Sequence, residues 1–180
     1  TVIHERGARD HGAYCRPGVE CEIAVRLGAT LGADGAPYDK ESVAGAVESC
    51  MAAIEVVDDR FVDYTKLELP TMLADDFFNC GCVLGAPVTA WRELDIGALR
   101  CEMFVNGASI GSGFGRDVMG HPFNVLAWLA NSLIERGREL RVGEFVLTGS
   151  SVETYWCAPG DAVRVEIEGL GTAEMNFSAA

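Results

Sequence analysis

Residues 18–28 read GVECEIAVRLG, an apolar run in which two glutamates stand two positions apart. The β-branched and apolar residues of this run, Val19, Ile23, Val25 and Leu27 among them, specify a β-strand. In a strand, residues i and i+2 point the same way, roughly 6.5–7 Å apart along the chain. Glu20 and Glu22 therefore share one face, with Cys21 and Ile23 on the other. Taken alone, the pair fits the solvated face of an edge strand. Two points weigh against that: Ala24 continues the carboxylate face without polarity, and the opposite face is fully apolar. If the face is partly buried, each ionised carboxylate is costly unless compensated. No Lys or Arg lies within the run before Arg26. A hard divalent cation such as Mg²⁺ or Mn²⁺ is the natural compensation, and it needs a third ligand from elsewhere. Residues 52–61, AAIEVVDDRF, offer one, because Glu55 is again a lone acid in an apolar run. Asp58 and Asp59 compete with it, although Arg60 and a turn-like setting mark them as solvated. Residue chemistry alone leaves Glu55 and Asp58 level.

Asp39 is placed to cap a helix in which Val43, Val47, Cys50 or Met51, and Ile54 recur at helical spacing, before a short strand follows. Residues 65–79, TKLELPTMLADDFFN, read as irregular, with Pro70 ending any preceding strand. Residues 80–85, CGCVLG, form a short apolar strand. Residues 99–114 predict a β-hairpin around Asn106-Gly107, the strongest two-residue type I′ turn signal. Residues 120–137 predict a helix with Pro122 early, Gly137 as stop, and a stripe of Phe123, Leu126, Leu129, Ala130, Leu133 and Ile134. Further strands follow at 144–149, 162–169 and 171–177; the second alternates Val163, Val165 and Ile167 against Arg164, Glu166 and Glu168, so one face is solvated. Many strands with two helices among them specify an α+β, mostly β domain, and the lack of alternating βα units excludes a doubly wound sheet.

The chain has 180 residues, 49% of them hydrophobic, which suits one domain spanning 1–180 with a sizeable core. Residues 1–14 show no periodicity and read as an irregular lead-in. They do not begin with Met, so the natural start is expected to lie upstream. The formal charge of −13 repels nucleic acid and anionic membranes, and neither is expected as a partner. The seven cysteines show no CxxC pair, and free thiols in the cytoplasm are the expectation. No run is apolar and long enough for a membrane span.

Six segments occur in an order that resembles a known family: VECEIAV, AIEVVDDR, LADDFFNCGCVLG, GSGFGRDVMGHPFNVLAWLA, FVLTGS and PGDAVRVEIEGLG. Over about residues 15–178 the chain is similar to the 2-oxopent-4-enoate hydratase and 4-oxalocrotonate decarboxylase branch of the fumarylacetoacetate hydrolase superfamily. The resemblance implies a mixed β-roll of that family's C-terminal domain type with flanking helices, assembled as a homo-oligomer. It implies one divalent metal, Mg²⁺ or Mn²⁺, on Glu20, Glu22 and Glu55, and so favours Glu55 over Asp58. It implies a cytoplasmic hydro-lyase of aromatic catabolism whose small-molecule substrate is a 2-hydroxy-2,4-dienoate or 2-oxo-4-enoate acid. The alternatives are decarboxylation of a 4-oxalocrotonate-type acid, C–C hydrolysis of an acylpyruvate, or a metal-binding remnant of the fold without catalysis.

Softer assignments follow from the same resemblance. Lys66 supplies charge to an anionic substrate or is a solvated loop lysine. Asp75 and Asp76 match a family ADN segment, with Asp76 departing from the Asn; Asp75 and Lys66 are the catalytic candidates. Thr148 and Gly149 match a TG that borders the substrate carboxylate, although a strand-end turn accounts for them equally well. His121 reads as a helix-start residue ahead of a base. Family members carry a further half-domain before the E-x-E strand, with a lysine and an acid for proton transfer. That portion is absent from these 180 residues.

Overall fold

The computed structural model describes residues 1–179. In chain order its strands are β1 (Val2–His4), β2 (Arg6–Asp10), β3 (Pro17–Leu27), β4 (Val47–Asp58), β5 (Asn79–Leu84), β6 (Arg100–Val105), β7 (Ala108–Phe114), β8 (Phe145–Ser150), β9 (Tyr155–Trp156), β10 (Ala162–Ile167) and β11 (Gly171–Ser178). The helices are α1 (Lys40–Ala44), α2 (Leu69–Ala74) and α3 (Pro122–Ile134). One sheet has the order β1-β5-β4-β3-β8, with β9 also on β3; the other has the order β2-β11-β10-β6-β7. Both are mixed, because β1 runs parallel to β5 and β2 parallel to β11 while the other pairs are antiparallel. This is the expected α+β, mostly β architecture.

The two sheets bury one main core between them. Val19, Cys21, Ile23 and Val25 of β3 and Cys50, Ala52, Ile54 and Val56 of β4 face Cys101, Met103, Val163, Val165, Ile167, Ala173, Met175 and Phe177 of the second sheet. Phe123, Leu126 and Ala130 of α3 close one end. Period-2 alternation in β10 sets Val163, Val165 and Ile167 inward and leaves Glu166 outside, as the sequence predicts. The β6–β7 hairpin turns at Asn106 and Gly107, both at positive φ (51° and 83°), the geometry a type I′ turn demands. α3 begins with Pro122 in its first turn, and Gly137 (φ 69°) follows its end.

Three expectations are corrected. The lead-in is not irregular: residues 2–4 and 6–10 add strands to the edges of the two sheets. The helix expected through Ile54 is only one turn long. It has an Asp39–Ser42 capping box and stops at Gly45, after which the chain becomes the twelve-residue strand β4. β4 is a central strand buried on both faces, so its apolar run is continuous, and such a run satisfies helical and extended periods alike. Residues 64–78 are not irregular either; they carry α2 between two short 3₁₀ turns, with Pro70 in the first turn of α2, where its missing N–H costs nothing. All seven cysteines are free, and no helix among the described residues is long and apolar enough to cross a membrane.

Candidate metal centre

The site lies on the face of the first sheet that turns away from the main core. The β3–β4 register sets Glu20 directly opposite Glu55 and Glu22 opposite Ala53, so all three glutamates share this face. One ligand oxygen from each lies within 4.8 Å of the others. Cys21, one residue out of phase, is fully buried in the main core and faces away. Further along the same face, Ala24, Met51, Ala53, Cys82 and Leu84 form a small second core. The carboxylate face is thus not an exposed edge: β3 has neighbours on both sides, and Glu22 is 1% exposed.

Each carboxylate is held by one neutral donor. The Gly149 N–H donates to Glu22 Oε2 at 2.7 Å, the Asn79 amide to Glu55 Oε1 at 2.6 Å, and the Thr154 hydroxyl to Glu20 Oε1 at 2.5 Å. The Gly149 contact depends on an extra residue in β8, where the register slips between Glu22 and Ala24. Gly149 adopts φ 107°, and a Cβ there would stand 2.8 Å from Val118 Cγ1, so only glycine fits. Burial pushes the Glu22 carboxyl well above the ordinary range, and Glu55 and Glu20 add to the rise. Burial likewise raises Glu20, partly offset by the Thr154 bond. Ionising the cluster without a counter-charge is therefore costly, and no Lys, Arg or His is among the described residues lining the space around it. An all-oxygen donor set with excess negative charge fits a hard divalent cation.

The glutamates open into a cleft of about 410 Å³, lined also by Val57, Tyr64, Phe77, Phe78, Gly149, Glu153, Thr154 and Trp156. The aromatic wall is a set of contacting rings: Tyr64 meets Phe78 and Trp156, and Phe61 meets Phe78, each at 5.9 Å between centroids. The turns and helix of residues 64–78 carry most of this wall.

The other predicted residues fall elsewhere. Lys66 is 81% exposed and pairs with Asp63 at 2.7 Å, so the solvated alternative describes it. Asp75 is gripped by Arg60, through Nε at 3.1 Å and Nη2 at 2.8 Å, and that guanidinium holds its carboxyl below the usual range. Neither lines the cleft. Asp76 is an exposed residue at φ 57°. Thr148 is buried and donates its hydroxyl to the Ile23 carbonyl at 2.8 Å, a bond that ties β8 to β3. Of the Thr-Gly pair, Gly149 alone reaches the cleft, and its N–H serves Glu22. His121 caps α3, its Nδ1 accepting the Phe123 N–H at 3.0 Å, as a helix-start residue does.

Asp58 and Asp59 are not solvated: they are 7% and 5% exposed. Asp58 accepts the Arg16 N–H at 2.7 Å, and Asp59 pairs with Arg16 at 3.3 Å. Asp58 is also out of phase with Glu55, so its side chain leaves from the other face of β4. The sequence reading missed Asn79, Thr154, Glu153 and the aromatic wall. The doubled Phe77-Phe78 in a segment without strand or helix period was the one available signal.

The fumarylacetoacetate (FAA) hydrolase C-terminal family matches residues 8–178. A 2-hydroxyhexa-2,4-dienoate hydratase of Comamonas testosteroni is 37% identical over 164 residues, covering 91% of this chain and 61% of its own. A 4-oxalocrotonate decarboxylase of Pseudomonas putida is 31% identical over 175 residues, covering 97% and 65%. The solved 4-oxalocrotonate decarboxylase from Pseudomonas putida G7, complexed with magnesium and adipate, superposes with a TM-score of 0.89 at 30% identity, covering 98% of this chain and 66% of that one. The chain thus spans less than two thirds of the length of these curated relatives.

Proposed function

The chain belongs to the fumarylacetoacetate hydrolase family, and from that premise we propose that it is the metal-binding part of a lyase acting on 2-hydroxy-2,4-dienoate or 2-oxo-4-enoate acids, with hydration as the reaction. The observation that carries this reading is the convergence of Glu20, Glu22 and Glu55 at the floor of a cleft walled by aromatic rings. Glu20, Glu22 and Glu55 would hold Mg²⁺ or Mn²⁺, which when bound supplies a Lewis acid for the carboxylate and 2-oxygen of the substrate. The Gly149 N–H, the Asn79 amide and the Thr154 hydroxyl each fix one glutamate oxygen and so keep the ligand geometry before substrate arrives. Tyr64, Phe78 and Trp156 shield one side of the cleft from bulk water and hold the planar diene chain. Hydration then follows as ketonisation of the dienol and addition of water to the conjugated alkene. Lys66 and Asp75 are given no part in the proton transfers, since both are closed in ion pairs away from the cleft. Acylpyruvate hydrolysis is not favoured, because His121 caps a helix instead of facing the glutamates.

The experiment is to follow the dienol absorbance of 2-hydroxypenta-2,4-dienoate with the protein, with and without Mg²⁺ or Mn²⁺. Metal-dependent decay is expected, and abolition by Glu20→Gln. Unchanged absorbance in the presence of metal would sink the reading and leave a metal-binding fold without catalysis. The similarity to 4-oxalocrotonate decarboxylases supports decarboxylation as a second reading, which release of CO₂ from 4-oxalocrotonate would establish. A homo-oligomer belongs to the same proposal and is read by sedimentation.

A further inference from the structure

The cleft has two chemically different ends. Its floor is the glutamate triad with the Gly149 and Thr154 donors. Among the described residues the rest of the cleft's lining is Val57, Tyr64, Phe77, Phe78 and Trp156 with one charged group, Glu153; Phe77 and Glu153 are exposed and so stand towards its mouth. Glu153 is exposed and makes no hydrogen bond or ion pair with the described residues. The guanidiniums next to the aromatic wall are already taken. Arg16 stacks on Trp156 at 4.2 Å and pairs with Asp59, and Arg60 is held by Asp75. A ligand anchored at the floor by its carboxylate would thus lay its far end against rings and beside a like charge.

We propose that the aromatic wall and Glu153 restrict this site to singly charged 2-oxo or 2-hydroxydienoic acids with a hydrocarbon tail, and that Glu153 is the residue that rejects acids carrying a second carboxylate at the far end. The inference rests on the lyase reading above and refines its substrate class. The physical reason is twofold. A hydrocarbon tail gains by leaving water for the ring faces. A terminal carboxylate on the same path loses hydration against the rings and meets Glu153, and no Lys, Arg or His among the described residues lines the cleft to offset either cost. This rejection is distinct from any loss of fit at the floor, where mono- and diacids present the same groups.

The test is calorimetric titration of the Mn²⁺-loaded protein with 2-oxohexanoate and with 2-oxoadipate, six-carbon acids that differ only at the far end. In the wild type, 2-oxohexanoate should bind about tenfold more tightly, the scale of two like charges about 6 Å apart in a half-solvated site. Glu153→Gln, an exposed isosteric change, should remove most of that gap by strengthening 2-oxoadipate while leaving 2-oxohexanoate within about twofold. Glu153→Lys should reverse the preference. Equal or tighter binding of 2-oxoadipate by the wild type overturns this inference alone, as does a Glu153→Gln variant that moves both ligands equally. Failure of both acids to bind the metal-loaded protein overturns the lyase reading and this inference with it.

Discussion

Glu22→Gln is the substitution that most directly separates a metal site from a structural carboxylate. Glu22 is 1% exposed and sits within 4.8 Å of ligand oxygens of both Glu20 and Glu55. At that separation and an effective dielectric constant near 20, each like-charge pair costs about 3 kcal/mol when both members are ionised. Proton uptake relieves much of this, so on the order of 1–3 kcal/mol remains in the metal-free protein at neutral pH. Glutamine keeps the volume and an oxygen to accept the Gly149 N–H, and removes the charge. The variant without metal should therefore be more stable than the wild type, with a Tm higher by about 2–12 °C.

The sign of the pH dependence follows from the raised Glu22 carboxyl. A group whose folded pKa lies above its unfolded one contributes stability that is fully present below the unfolded value and is lost as pH rises through the folded one. The Glu22→Gln advantage should thus be small at pH 4 and grow towards pH 8. Mn²⁺ should raise the Tm of the wild type, increasingly so at higher pH because fewer protons compete for the glutamates, and should leave the variant unmoved. Scanning calorimetry of both proteins with EDTA or Mn²⁺ from pH 4 to 8 measures all of this. A metal-free variant less stable than the wild type, or one that keeps the full Mn²⁺ shift, would refute the argument.

Three further outcomes are expected. Asn79→Ala frees Glu55 Oε1 from its amide donor and should weaken Mn²⁺ binding about tenfold by titration calorimetry, with Glu55 itself retained as ligand. Gly149→Ala forces a Cβ into a φ of 107° and against Val118, and should cost about 1–3 kcal/mol in urea denaturation while also weakening the metal site through the lost Glu22 contact. Lys66→Ala removes an exposed cation outside the cleft and should leave the Mn²⁺ affinity and the Tm unchanged within about 2 °C; a loss of affinity would return Lys66 to the site.

Local patterns carried much of the fold. The strand around Glu20 and Glu22, the Asn106-Gly107 hairpin, the Pro122 helix and the alternating β10 are each written in a few consecutive residues, because strand period, type I′ turn and helix start depend on local backbone sterics. The E-x-E spacing likewise fixed that two carboxylates share a face. It could not say what that face meets. Taken alone, Glu20 and Glu22 suited open solvent; only the family resemblance joined them with Glu55, and only β4 beside β3 set Glu55 opposite Glu20. That register is a long-range property, and so is the central position that turned the helix-like Val47–Ile54 pattern into strand. Asp58 was level with Glu55 by chemistry and was separated from it by one residue of strand phase. Asn79, Thr154 and the Gly149 N–H come from three separated parts of the chain, and no local pattern marks them as partners of one glutamate triad. The sequence determined that acids stand in buried-type strands; the pairing of those strands determined that the acids meet, because only packing fixes which faces look at one another.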